Sequence, residues 1–480
     1  MFREKAISRR AFTQMIGMIT ASYWFSGCAR LIRDETPKSV WLSADDIKAA
    51  TRVPVFPRRD FIVEDFGVRS GGNQDASLGI HAAIRACNER GGGRVVLGKG
   101  VYRSGPIHLL SNVELHIAEG AEISFYTDPA RYLPPVFTRW EGMEMHGYSP
   151  LIYAYQQSNV AVTGGGTLNG NADADTWWPW KGDHAERNWS YDPNKDQRAA
   201  REKLFAMAEQ GAMVSDRVFA DGSYLRPSFV QFYQCKGVLI EGVTITNAPF
   251  WLAHPTLCED VTVRGVNFSS HGPNSDGCDP ESCNRVVIEN CTFDTGDDCI
   301  AVKSGRNADG RRVNIPCENI LIQNCIMKSG HGGVVIGSEI SGGVKNLHAR
   351  NCVMSSPDLE RAIRIKTNAT RGGVIEHLRY ENIQVGEVQD AIVVNFYYEE
   401  GANGQWQPTV RDVEIKGLRV RQAQRALVLR GFPNNRVSGL TLIDCDIESA
   451  RTLGIIENVT GIQLHNVSVN GRQLLERALM

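Results

Sequence analysis

The stretch Val238-Leu239-Ile240-Glu241-Gly242-Val243-Thr244-Ile245 decides the fold, because the chain repeats its pattern to the end. Equivalent segments begin at Val261, Val286, Ile320, Leu347, Leu378, Val413, Leu440 and Ile462, at steps of 22 to 35 residues. Each is an apolar–polar alternation, a corner residue and a second alternation. The fifth column reads Gly242, Gly265, Asn290, Asn324, Asn351, Asn382, Gly417, Asp444 and Asn466. These residue types tolerate left-handed backbone angles and turn a strand through a corner. The sixth column is apolar or Cys throughout, as a shared interior requires. One short copy cannot bury its own apolar face, so repeats of this size stack as a solenoid. The predicted fold is all-β, a right-handed parallel β-helix. Successive rungs of such a coil set side chains ~4.8 Å apart along one flank.

Working outward, 480 residues exceed an average domain, a limit that a solenoid escapes by growing along one axis. The net charge of −2 gives no global attraction to nucleic acid or to a membrane. After residue 28 no run approaches the ~20 apolar residues of a membrane span. Residues 1–28 read as an export signal. Ser8-Arg9-Arg10-Ala11-Phe12 resembles a twin-arginine motif, and Phe25-Ser26-Gly27-Cys28 resembles a lipobox with Cys28 as the lipidated residue. The expected location is therefore the periplasm or the membrane surface of a bacterium, anchored only through a lipid on Cys28. Residues 29–58 read as a linker and 59–475 as a single β-helix domain with an insertion at 171–226.

Near its start, Asp75 to Glu89 is predicted to be a helix with Leu78, Ile80, Ala83, Ile84 and Cys87 on its apolar face. It would cap the open end of the coil, which otherwise exposes unpaired strand edges. Residues 171–226 break the repeat. They hold Trp177, Trp178, Trp180, Trp189 and Tyr191, then a helical stretch near Gln197 to Glu209. An insertion this long is usually functional or disordered. Its aromatics are expected either to stack on sugar rings or to pack as a surface excursion. A later extension, Tyr397 to Pro408 with Trp406, could add to the same wall. Of the cysteines, Cys291, Cys325, Cys352 and Cys445 fall in the buried sixth column and act as small apolar side chains. Cys278, Cys283, Cys299 and Cys317 could pair. No CxxC metal pair occurs.

Polar residues gather coil by coil on one side: Asn274-Ser275-Asp276, then Gly296-Asp297-Asp298, Gly330-His331-Gly332 and Arg364-Ile365-Lys366. Taken singly, each has a plain structural reading as a turn or an exposed strand face. Together they suit glycosidic hydrolysis, which needs one protonated carboxyl and one ionised carboxylate. Three clustered aspartates resist full ionisation, so at least one pKa should rise. Alternation places Arg364 and Lys366 on one strand face, where they can bind a substrate carboxylate.

These four motifs, in this order, resemble those of glycoside hydrolase family 28, the polygalacturonases and their relatives. Ser275 stands where the family carries Thr. The resemblance covers roughly residues 60 to 470 and implies an inverting hydrolase of α-1,4-linked galacturonate in pectin. It implies Asp297 as the general acid, Asp276 and Asp298 as the pair holding the water, and His331 as support for the acid. It also implies Asn274, Arg364 and Lys366 as substrate-binding residues. No metal or cofactor is implied. The partner would be a pectic polysaccharide or oligogalacturonide, with no nucleic acid. Inversion leads to an expected acid–base separation of ~6.5–9.5 Å. The insertion, closing one end of the groove, favours an exo mode. Alternatives are a rhamnogalacturonan-directed hydrolase of the same family, a Ca²⁺-dependent pectate lyase and a non-catalytic glycan binder.

Overall fold

The computed structural model describes residues 41–184, 187–355 and 357–479; the twin-arginine motif and Cys28 lie outside them. The repeat columns become the register of the sheet. Val238, Val261, Val286, Ile320, Leu347, Leu378, Val413 and Leu440 are Cα partners in consecutive parallel strand pairs. Pairing of Thr441 with Gln463 carries the register on to Ile462. This first face runs through 13 strands in sequence order, from Asp60–Ile62 to Gln463–His465. All nine corner residues have φ between 52° and 77°. Every sixth-column side chain is buried. The chain is a right-handed parallel β-helix.

A second left-handed column, just before each copy, went unread in the sequence. It holds Gly237, Asp260, Arg285, Asn319, Asn346, His377, Asp412, Gly439 and Gly461. A left-handed L-residue costs roughly 1–2 kcal/mol, and Arg285 and His377 carry no glycine or asparagine signal. Ladders of side-chain bonds offset the strain. Asn346 Nδ2 donates to Asn319 Oδ1 at 2.8 Å, and Arg285 Nε to Asp260 Oδ1 at 2.6 Å.

Beyond the corner, each coil forms a second face and then a third. On the third face Ala253, Cys278, Ile300, Val334, Ile363 and Ile392 are successive partners. Loops entering this face carry the acidic residues. The apolar stacks of all three faces merge into one core along the axis.

The α-helical elements are α1 (Ala44–Ala50), α2 (Ser77–Glu89), α3 (Arg198–Glu209) and α4 (Asn307–Val313). Helix α2 caps the first coils as expected, burying Ile80, Ala83, Ile84 and Cys87. Leu78 departs from the expected apolar face and is 83% exposed. Helix α1 lies in the segment read as linker. A Ser43–Asp46 capping box starts it, and Ala44 and Ile47 dock on Val287 and Leu321 of the first face. Lys48 and Asp45 add ion pairs to Glu289 and Arg350.

Two excursions rise over the third face. One is the hairpin Val136–Trp140 and Met143–Gly147, turning at Glu141 and Gly142 with φ of 41° and 82°. The other is the 171–226 insertion, whose Val218–Phe219 strand pairs with the hairpin. Trp140, Met143, Met145, Leu204 and Phe219 join them in a separate apolar cluster with Phe250 and Trp251. The hairpin was missed in the sequence, although alternation around a two-residue Glu-Gly turn is a hairpin signal. The cysteines left open for pairing, Cys278, Cys283, Cys299 and Cys317, are all free and buried.

Candidate active site

Backbone pairing stacks the acidic loops. The Gly277 N–H donates to Asp298 O at 3.0 Å, and the Cys299 N–H to Gly332 O at 2.8 Å. Asp276, Asp298 and Gly332 thus sit on consecutive coils. Glycines permit the close approach: a Cβ on Gly330, at φ +141°, would fall 2.4 Å from Asp297 O. A Cβ on Gly332 would fall 3.1 Å from Asp298 Oδ1. One oxygen from each of Asp276, Asp297 and Asp298 lies within 4.8 Å of the other two.

The polar shell around the three aspartates is specific. His331 Nδ1 lies 2.9 Å from Asp297 Oδ1. Arg364 Nη1 donates to Asp298 Oδ1 at 3.1 Å and Lys366 Nζ to Asp298 Oδ2 at 2.6 Å. Lys303 Nζ stands 3.3 Å from Asp279, 3.4 Å from Glu339 and 3.6 Å from Asp276. Asn274 Oδ1 accepts from Arg226 Nη2 at 2.8 Å and from Lys181 Nζ at 2.9 Å. That oxygen is saturated, so the Asn274 amide has only its N–H donors to offer a ligand. Asn274, Asp276, Asp297, Asp298, His331, Arg364 and Lys366 are therefore brought together as the sequence suggested.

Four expectations change. Arg364 and Lys366 do not stand out in solvent; they are 8% and 6% exposed and bound to Asp298. Alternation did put them on one face, but that face looks into the acidic cluster. Second, the raised pKa falls on Asp276 and not on Asp297. Burial, then Asp279 and Asp297 nearby, push the Asp276 carboxyl well up. Burial likewise pushes Asp279 up to about 8. For Asp297 burial acts the same way, but the His331 hydrogen bond and charge, with Lys366 and Arg364, outweigh it and hold the carboxyl well below the usual range. The Asp297 bond and charge in turn raise His331 to about 9. In the free protein the proton of this pair sits on histidine. Third, one oxygen from each of the three carboxylates lies within 4.8 Å of the other two, so their nearest atoms approach more closely than the ~6.5–9.5 Å expected between whole acid and base carboxyl groups. Fourth, the aromatics of the insertion turn inward. Trp177 is fully buried against Tyr132 and Trp180. Trp178 lies on Gly272, where a Cβ would meet its Nε1 at 2.1 Å. Trp189 does line a cavity at the site. Trp406 is 44% exposed and sits over Arg311.

Several residues at the site escaped the sequence reading. Tyr398, not singled out but inside the Tyr397 to Pro408 extension expected to add to the wall, covers Lys366 and Arg364 with its ring at 5.1 and 5.5 Å. Asp279, Lys303 and Glu339 lie within the repeats, where nothing marks them as different from other polar strand residues. Lys181, Arg201 and Glu141 come from the excursions. A cavity of about 190 Å³ is lined by Glu141, Lys181, Arg201, Asp276, Asp297, Lys303, Arg306, Glu339 and Lys366, among others. A second, of about 110 Å³, adjoins it across Lys181, Asn274, Asp297 and His331. A larger hollow of about 720 Å³ lies on the first face under residues 53–58 and carries none of these groups.

Residues 215–469 match the family described as Glycosyl hydrolases family 28. The chain belongs to glycoside hydrolase family 28. It is 43% identical to a hyperthermoactive exopolygalacturonase from Thermotoga maritima, covering 90% of this chain and 96% of that one with a TM-score of 0.84. It is 24% identical to a probable polygalacturonase of Vitis vinifera over 80% of this chain and 74% of that protein. It is 23% identical to an exo-poly-alpha-D-galacturonosidase of Dickeya chrysanthemi over 70% of this chain and 57% of that protein. The family excludes the non-catalytic reading. The donor set also argues against a Ca²⁺ site, because both Asp298 oxygens already accept from cations and Lys303 faces Asp276. A hard cation needs such oxygens free.

Proposed function

We propose that this family 28 protein is an exo-acting polygalacturonase, hydrolysing the terminal α-1,4-galacturonosyl linkage with inversion. The observation that carries the reading is the 190 Å³ cavity, walled by the two excursions and floored by Asp276 and Asp297. At ~30 Å³ per water it holds about six waters, room for one sugar ring. The likeness to the Thermotoga exopolygalacturonase supports it.

In this reading the terminal sugar fills the cavity and the scissile oxygen meets Asp297. An anionic sugar adds negative charge beside Asp297 and displaces water, and both raise its pKa. The proton then crosses the 2.9 Å bond from His331 Nδ1 to Asp297, and from Asp297 to the leaving oxygen as the C–O bond breaks. Asp276 and Asp298 hold the attacking water. Asp276, with its raised pKa, is the stronger base once ionised, and its carboxylate takes the proton of the water. Asp298, fixed by Arg364 and Lys366, orients that water. With carboxylate oxygens within 4.8 Å of one another, a glycosyl intermediate, formed by enzymes whose carboxyl groups are ~5–5.5 Å apart, is the alternative to weigh. Against attack by Asp298 stands the occupation of both its oxygens by cations. Inversion is read by ¹H NMR of the first product: β-galacturonate must precede α-galacturonate, and α first would mean retention.

The deciding experiment digests polygalacturonate and rhamnogalacturonan oligomers and identifies the first products. Monogalacturonate from the earliest points, without a 235 nm unsaturated product and without sensitivity to EDTA, is expected. Cleavage of rhamnogalacturonan alone would overturn the reading. The protein is further proposed to be exported and lipid-anchored, on the strength of Ser8 to Phe12 and Phe25 to Cys28. Cys28→Ser should then move it from the membrane to the soluble fraction.

A further inference from the structure

Besides His331, which is bound to Asp297, five lysine and arginine side chains line the 190 Å³ cavity: Lys181, Arg201, Lys303, Arg306 and Lys366. Four are already claimed by carboxylates. Arg201 pairs with Glu141 at 2.8 Å, Arg306 with Glu399 at 3.0 Å, Lys303 with Asp279 at 3.3 Å and Lys366 with Asp298 at 2.6 Å. Lys181 differs. Among the described residues its ammonium has no carboxylate within ion-pair distance, and its one hydrogen bond goes to the neutral Asn274 Oδ1. It is part-buried, and burial lowers its pKa against the pull of Glu141. A desolvated ammonium with a neutral partner keeps charge and two donors for an anion.

Its placement is fixed by the insertion. Trp177, Trp178 and Trp180 anchor the turn Trp178–Lys181 to the coil. The far end of the insertion returns through Arg226, which donates to the same Asn274 oxygen at 2.8 Å. Lys181 is thus held rigidly beside Asn274, at the border of the two cavities and next to Asp297.

We propose that Lys181 is the receptor for the carboxylate of the terminal galacturonate, so that the insertion selects an acidic chain end as well as closing the groove. The proposal rests on the exo-polygalacturonase reading and deepens it. A charged hydrogen bond formed in a shielded site gives selectivity of about 10- to 100-fold. The terminal unit is the one that Lys181 reads, because the cavity it lines also carries Asp276, and a water activated there must face the anomeric carbon of that unit.

The test uses trigalacturonate and two monoesters of it, methylated on the terminal (non-reducing) or on the penultimate unit. Wild type should cleave the terminal ester about 10- to 100-fold less efficiently than the free acid. Lys181→Gln, which keeps a donor for Asn274, should lose a similar factor on the free acid and almost nothing further on the terminal ester. Lys181→Arg should recover most activity. Lys181→Met serves as a second charge-free variant if the glutamine variant folds poorly, with thermal melting as the check on both. The proposal fails if wild type treats the free acid and the terminal ester alike. It also fails if only penultimate esterification interacts with the Lys181 variants, or if the glutamine and methionine variants keep activity within about twofold. A wild type that releases no galacturonate from any oligomer would instead sink the underlying function.

Discussion

At the 2.9 Å bond between Asp297 and His331, one proton serves two residues. Asp297→Asn should lower kcat by about 10²–10⁴ with little change in thermal midpoint, because its partner faces solvent; more than a tenth of wild-type activity would overturn its role. The pH profile follows from the same pair. The acid form requires the shared proton, so kcat/KM should fall as pH rises through about 9, the value to which Asp297 holds His331. The base form requires an ionised Asp276, whose pKa is raised, so the acid limb should lie above the ~3.9 of an ordinary aspartate. His331→Gln removes the proton store, so the alkaline limb should move down by about a unit or more; an unmoved limb would assign it to another group. Arg364→Ala and Lys366→Ala act differently from exposed basic residues. Each strips a partner from the fully buried Asp298, so each should cost about 1–3 kcal/mol of stability along with activity. A stability loss below ~0.5 kcal/mol in chemical denaturation would show that Asp298 does not depend on them.

At the scale of elements, the repeat was easy to read and the cap was not. Corner residues and sixth-column side chains obey one constraint in every coil, so nine copies expose it in the sequence. The motif residues Asn274, Asp276, Asp297, Asp298, His331, Arg364 and Lys366 were legible because motif order implies coil order. Their ion-pair partners were not, since alternation says which face a side chain takes but not how far inward that face curves. Lys181, Glu141 and Arg201 belong to excursions that occur once and have no second copy to compare. The tryptophans show the same limit, as their composition suits either a sugar platform or an anchor. Burial of Trp177 and its ring contacts decide for the anchor. Trp177→Ala should therefore destabilise the insertion by about 3–5 kcal/mol. Proteolysis within 171–226 should rise while the β-helix stays folded; an unchanged cleavage pattern would contradict the anchoring role.

For the whole molecule, the coil offers a flank that could bind a polymer anywhere along its length, and the two excursions restrict where it enters. The hairpin 136–147 and the insertion share an apolar cluster with Phe250 and Trp251, so the wall is continuous with the body beside the site. Arg306 ties it further, bonding Glu141 of the hairpin and Glu399 and Glu400 of the later extension. On the proposed exo reading a polymer does not thread past this braced wall, and a chain end is what reaches Asp297. Cleavage should then count ends and not mass. At equal mass of polygalacturonate, halving the mean chain length should about double the initial rate of reducing-end release below saturation. Viscosity should stay nearly flat while those ends appear, because each event shortens a chain by one unit. A sharp early drop in viscosity with few new reducing ends would mean internal cuts, and the excursions would then be a rim and not a wall.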